Sequence, residues 1–231
     1  MKKVSILIIT ILTCIAVFTT AIAGLKKPKT QDKCLRKIIE RMQHRFDKVH
    51  AFQADFVQKS YSGAVQMTTI GKGKLYLQKP KMMRWDYTDP EPQSFVTDGI
   101  KTWLYIPSEK KILIDDAKKF FNSPMVKSFL DGPQNFTKYF EVIVGNKPDS
   151  QDIVLVLIPK ARDSNVDVEQ ITLWVSRNDY QIKTIETKDY LGNRNKVTLV
   201  NIKVLPKLPR SLFTLTVPSG VTVETKVSGS P

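Results

Sequence analysis

Gly71-Lys72-Gly73-Lys74-Leu75-Tyr76-Leu77-Gln78-Lys79-Pro80-Lys81-Met82-Met83-Arg84-Trp85-Asp86-Tyr87 reads as two strands with a turn between them. In the first strand Gly73, Leu75, Leu77 and Lys79 share one side, and Lys74, Tyr76 and Gln78 the other. In the second, Met83, Trp85 and Tyr87 oppose Met82, Arg84 and Asp86. A period of two with turn chemistry at Lys79-Pro80 marks a sheet with one apolar face rich in aromatic residues and methionine.

The same pattern extends both ways. Upstream, Phe52, Ala54 and Phe56 alternate with Gln53, Asp55 and Val57. Downstream, strand-like runs cover Gln93–Asp98, Thr102–Ile106 and Lys111–Asp115, separated by Asp89-Pro90, Asp98-Gly99 and Pro107. Trp103 and Tyr105 are expected to join Leu75, Leu77, Met83, Trp85 and Tyr87 on the apolar face. A second series follows at Phe140–Val144, Asp152–Ile158, Gln170–Ser176, Gln181–Asp189 and Asn195–Val204, with a terminal strand at Leu212–Val217. Short strands without intervening helices indicate one antiparallel meander.

Two helical patterns interrupt it. Leu35, Ile38, Ile39, Met42, Phe46 and Val49 recur at spacings of three and four, which predicts a helix over Asp32–Val49. Midway, Phe120, Phe121, Met125, Val126, Phe129 and Leu130 form a short apolar insertion, with a helix start at Asn122-Ser123-Pro124 and a stop at Gly132. The insertion and the first helix can cover only part of a wide sheet. The residues alone leave two readings open, a packed core or an apolar cavity under a movable lid.

The first residues, Met1-Lys2-Lys3, precede an uncharged apolar run that ends in Ala21-Ile22-Ala23. That pattern predicts a secretory signal over residues 1–23 and one domain over 24–231. Cys34 is then the sole cysteine of the mature chain, so no internal disulfide is expected.

Composition removes much enzymology. The 231 residues carry 36 Lys+Arg against 22 Asp+Glu, a net charge of +14, with 2 histidines. His44 and His50 lie on different helical faces and make no metal pair. Gly71-Lys72-Gly73 fails as a dinucleotide loop because Tyr76 stands at the third glycine, and no other catalytic or phosphate-binding motif occurs. No enzyme activity, metal or cofactor is expected. The basic residues are scattered singly and in pairs such as Lys110-Lys111 and Lys118-Lys119, which argues against nucleic acid.

Several blocks in order carry a resemblance. They are Phe46-Asp47-Lys48-Val49, Phe52-Gln53-Ala54-Asp55-Phe56-Val57-Gln58, Gly71-Lys72-Gly73-Lys74-Leu75, Lys79-Pro80 and Met83-Arg84-Trp85. Asp89-Pro90, Thr97-Asp98-Gly99, Trp103-Leu104-Tyr105-Ile106-Pro107, Leu157-Ile158-Pro159-Lys160-Ala161 and Phe213-Thr214-Leu215-Thr216-Val217-Pro218-Ser219-Gly220-Val221 continue the series. Together they resemble the outer-membrane lipoprotein carrier (LolA) family.

The resemblance implies a mainly β fold, an incomplete antiparallel β-barrel whose short helices form a lid over an apolar cavity. It implies a monomeric periplasmic chaperone for acylated lipoproteins. Its partners would be an inner-membrane lipoprotein-releasing ABC transporter and an outer-membrane lipoprotein acceptor. Leu75, Leu77, Met83, Trp85, Tyr87, Trp103 and Tyr105 would line the cavity. Phe120, Phe121, Met125, Phe129 and Leu130 would belong to the lid. The family commonly has arginine before the proline of Lys79-Pro80 as a lid latch; Lys79 keeps the charge but not the planar fork. The competing reading is a periplasmic lipid-sensing or regulatory module on the same half-barrel.

Overall fold

A computed structural model describes residues 29–145, 151–160 and 168–225, with side chains left out at 29–31 and 124–125. The expected leader at 1–23 lies outside the described residues. The chain opens with helix α1 (Lys29–Lys48), whose last turn carries Arg45 and Lys48 near its unpaired carbonyls. Strands β1 (Ala51–Ser62), β2 (Met67–Gln78), β3 (Met82–Asp89), β4 (Gln93–Thr97), β5 (Lys101–Ile106) and β6 (Lys111–Asp116) follow as a meander. The insertion is two helices rather than one, α2 (Ala117–Asn122) and α3 (Pro124–Leu130), followed by the single turn α4 (Phe136–Tyr139). Asp116 caps α2 by accepting from Lys118 N–H, and Pro124 opens α3 where no N–H is needed. The chain then returns through β7 (Phe140–Gly145), β8 (Ile153–Pro159), β9 (Gln170–Val175), β10 (Ile182–Lys188) and β11 (Arg194–Leu205) to β12 (Thr222–Thr225).

These twelve described strands form a single open sheet, ordered β12-β6-β5-β4-β3-β2-β1-β11-β10-β9-β8-β7. Its edges do not pair with each other, so it is a half-barrel rather than a closed one. The pairing is antiparallel except at the last strand, which runs parallel to β6. The expected terminal strand at Leu212–Val217 is corrected here. Arg210–Phe213 form a 3-10 turn after Pro209, and the strand falls at Thr222–Thr225. Pro206, Pro209 and Pro218 each lack an amide hydrogen for a ladder. The segment between β11 and β12 instead lies against the outside of the sheet. There Leu208 and Phe213 bury against Ala51, Tyr76 and Met82, and Leu208 N–H donates to Gln78 Oε1 at 2.7 Å.

The inner face is covered by the helices. Over β7–β10, Ile38, Ile39 and Met42 of α1 meet Leu155, Leu157, Ile171, Leu173 and Val175, all of them buried. Over β1 and β2 the face is shaped by Gly73. A Cβ there would sit 1.9 Å from the Asp86 carbonyl oxygen and 2.9 Å from the Phe56 ring. Only glycine lets that ring lie down on the sheet.

Candidate functional site

Cross-strand partners point to the same side of a sheet, so the register states which residues form the inner face. Leu75 pairs with Trp85, Leu77 with Met83 and Gly73 with Tyr87. Trp85 in turn pairs with Phe95, Phe95 with Leu104, and Leu104 with Leu113. The inner face of β1–β6 therefore carries Phe56, Leu75, Leu77, Met83, Trp85, Tyr87, Phe95 and Leu104. Phe56 is its floor, with ring centroids 4.9 Å from both Trp85 and Tyr87 in edge-to-face contact. Tyr87 Oη donates to Gln58 Oε1 at 2.5 Å, and burial pushes its phenol pKa up. Met83, Trp85, Tyr87, Phe95 and Leu104 are only half-buried.

Trp103 and Tyr105 are a correction. They pair with Val96 and Ser94, and across the other side with Ile114 and Ile112, so they belong to the outer face with Arg84. Alternation within Thr102–Ile106 separates two sets of residues without saying which set turns inward. The pairing of Thr97 with Thr102 across the β4–β5 turn sets that choice, and a slip of one residue would reverse it. Within the outer set Val96 and Ile112 are fully buried, while Trp103, Tyr105 and Ile114 are half-buried. Arg84 donates to Asp86 at 2.7 Å and to the Leu212 carbonyl at 3.2 Å, pinning the C-terminal segment. Leu104 does not stand out in the sequence because Trp103 and Tyr105 flank it, nor Phe95 because the adjacent Val96 is also apolar.

The insertion divides its side chains between two places. Phe120 stacks at 5.4 Å on Phe95 of the inner face and at 5.1 Å on Phe121, which is buried. Phe129 turns away and packs at 5.3 Å on Phe136, within the core beneath α1. Leu130 is half-buried, and the Met125 side chain lies outside the described ones. Among the described side chains, Phe120 of α2 thus meets the aromatic rows directly.

Lys79 shares the inner side with Leu75 and Leu77 and reaches the end of α1. Its Nζ donates to the Phe46 carbonyl and lies 3.4 Å from the centroid of the Phe46 ring. A cation at a helix C-terminus meets the carbonyl end of the dipole, and the ring adds a cation–π contact. Burial lowers the lysine pKa, and nearby Asp47 works in the opposite direction. The contact therefore ties the β2–β3 turn to α1, not to the insertion.

Two pockets lie elsewhere, and none of the expected cavity residues lines either. One, of about 360 Å³, is on the outer face at Gln53, Asp55, Lys74, Tyr76 and Asn201. There Asp55 accepts from Lys74 and Asn201, each at 2.8 Å, and these bonds hold its carboxyl below the usual range. The other, of about 320 Å³, lies beside α1 at Cys34, Arg41, Val144 and Tyr180.

An open half-barrel whose aromatic inner rows are roofed by short helices is the arrangement the sequence blocks implied. Residues 47–216 match the family model described as outer membrane lipoprotein carrier protein LolA. The chain belongs to the LolA family. The match runs from the end of α1 through β11 to the segment that crosses the outer face, so it contains the inner face of β1–β11. An outer-membrane lipoprotein carrier protein of Pseudoalteromonas translucida is 26% identical over 189 residues, 81% of this chain and 87% of the relative. One from Salmonella paratyphi A is 29% identical over 191 residues, 80% of this chain and 87% of the relative. Among solved structures, an uncharacterized conserved protein of Thermus thermophilus shares the fold. It has a TM-score of 0.53 and 12% identity, and covers 84% of this chain and 99% of its own.

Proposed function

We propose that this LolA-family chain is a non-enzymatic periplasmic chaperone for acylated lipoproteins. It takes them as an ABC transporter releases them from the inner membrane, holds their acyl chains against the inner face of β1–β6, and passes them to an outer-membrane acceptor. The observation that carries this reading is the half-buried row Met83, Trp85, Tyr87, Phe95 and Leu104 within the family match. Such a face is apolar, wide and only thinly roofed.

The energetics call for a face of this kind. An acyl chain loses about 0.8 kcal/mol per CH₂ on entering water, so about fifteen groups lose on the order of 12 kcal/mol. Unaided transit is negligible at that cost. A carrier must recover most of the loss while still releasing its cargo. Adaptable methionine and aromatic walls, partly satisfied by Phe120 when empty, give intermediate affinity. Lys79 serves as the latch: moving the C-terminal end of α1 off the β2–β3 turn breaks its bond to Phe46, which biases the empty protein towards closure.

Depletion of the protein in cells tests the reading. Lipoproteins should accumulate at the inner membrane while other exported proteins reach their destinations. Normal lipoprotein sorting after complete depletion would overturn it.

A further inference from the structure

Two hairpin tips project from the end of the half-barrel far from the Lys79 turn. The separation is about 40 Å along the 12 residues of β2. At the β1–β2 tip Val65 of the turn is 67% exposed and Met67, the first residue of β2, 57%; in the β10–β11 turn Leu191 is 76% and Tyr190 44% exposed. The tips touch. Gly63 N–H donates to Asn193 Oδ1 at 2.9 Å, and a Cβ on Gly63 would fall 2.7 Å from the Leu191 carbonyl oxygen. Asp189 fixes the second turn by accepting from Leu191 N–H, Asn193 N–H and the Asn193 amide. These apolar side chains are thus held in water by ordered, hydrogen-bonded turns.

Directly behind the tips the outer face is basic. Lys59 stands opposite Lys196, and Arg194 stands opposite Lys188. Like charges so placed repel, and of the four Lys196 also lies 4.2 Å over the Trp174 ring. Glu186 faces Lys196, Glu169 pairs with Lys188 at 2.8 Å, and Asp89 faces Lys72 further down. Lys59 and Arg194 have no ion-pair partner among the described residues.

We infer that the paired tips are a membrane-contact site for an anionic lipid bilayer. Val65, Met67 and Leu191 enter the boundary between headgroups and acyl chains, Tyr190 sits at headgroup level, and Lys59 and Arg194 meet lipid phosphates. A second copy or a protein partner fits less well. Four side chains on projecting turns offer far less than the roughly 1,200 Å² that a stable protein interface buries. The inference goes beyond the carrier reading, since it concerns the empty protein and needs no cargo.

The test is co-sedimentation of the purified exported protein with vesicles, without lipoprotein. One set is phosphatidylcholine alone, the other phosphatidylcholine mixed with phosphatidylglycerol. The parent should bind the mixed vesicles at low salt, bind the neutral ones more weakly, and lose the difference at high salt. Combined Val65→Ser, Met67→Ser and Leu191→Ser should lower binding by about tenfold or more. Lys59→Ser with Arg194→Ser should abolish the preference for phosphatidylglycerol. Ile100→Ser is the control: Ile100 is 73% exposed, but in the β4–β5 turn at the opposite end, so binding should not change. Circular dichroism should show every variant folded, because all these side chains are outside the core. No binding by the parent would overturn the inference. So would equal losses in the tip and Ile100 variants, or a concentration-dependent dimer abolished by the tip substitutions.

Discussion

The two halves of the inner face follow the same alternation and end in different states. Over β7–β10, Leu155, Leu157, Ile171, Leu173 and Val175 are fully buried. Over β3–β5, Met83, Trp85, Tyr87, Phe95 and Leu104 keep part of their surface. The difference lies in what covers them. The first half has a helix of 20 residues that drives Ile38, Ile39 and Met42 into the sheet. The second has helices of 6 and 7 residues, whose Phe129 is diverted into the core beneath α1. One half supplies stability, and the other keeps apolar surface in reserve.

The largest expected effect sets the halves against each other in stability. Leu173→Ala should cost about 2–5 kcal/mol of unfolding free energy, because it leaves a cavity in a closed core. Leu104→Ala should cost about 1 kcal/mol, since that side chain is only partly removed from water. Equilibrium denaturation in urea measures both, and equal costs would erase the distinction.

The next effect is on cargo. Leu104→Asp or Trp85→Asp puts a carboxylate among acyl chains and should lower lipoprotein retention by about tenfold or more. Trp103→Ser should leave retention near the parent and lower stability, because Trp103 is on the outer face, half-buried beside the fully buried Val96. Loss of retention with Trp103→Ser in a folded protein would return that residue to the binding face.

A smaller, step-specific effect concerns Lys79. Lys79→Leu removes the bond to Phe46 and adds apolar contact, so loading from inner-membrane vesicles should proceed while delivery falls by about tenfold. Lys79→Arg should keep delivery or improve it, with several donors on a planar group. Scoring the two steps separately checks this, and unchanged delivery by Lys79→Leu would remove the latch.

Much of this contrast is legible in the amino-acid residues alone. The alternation at Leu75, Leu77, Met83 and Trp85 places four inner residues, because the tight turn at Lys79-Pro80 leaves little freedom of register. The 3.6-residue period of Ile38, Ile39 and Met42 locates α1 for the same kind of local reason. What failed depended on distant pairing. The choice between Trp103 and Leu104 follows from which residue faces Thr97, a relation that the strand's own pattern does not contain. The strand at Thr222–Thr225 is likewise hidden, since its partner β6 lies more than a hundred residues earlier in the chain. Lys79 is expected as a lid latch, and the residue it bonds, Phe46 of α1, is again a distant partner that its own strand pattern does not name.

The smallest effect is electrostatic and on the outer face, where it should not touch cargo. The carboxyl of Asp55 is held low first by its hydrogen bond from Lys74, then by that from Asn201. A depressed carboxylate favours the folded state above its unfolded pKa, and that contribution disappears as pH falls through the folded value. Asp55→Asn should therefore flatten the loss of stability below the ordinary carboxylate range, slightly, because the pair is exposed. A melting series in acid would show it, and an unaltered slope would discount the pair.

The inner face of β1–β6 as the acyl-chain site is the central claim, and photo-crosslinking from defined positions addresses it most directly. A photoreactive residue is placed singly at Trp85, Leu104, Trp103 or Leu173, and the protein is loaded with lipoprotein from inner-membrane vesicles. The account predicts crosslinks to the acylated amino terminus of the cargo from positions 85 and 104, and none from 103 or 173. Crosslinks from 103 equal to those from 104, or none from 85 and 104 in a protein that carries cargo, would contradict it.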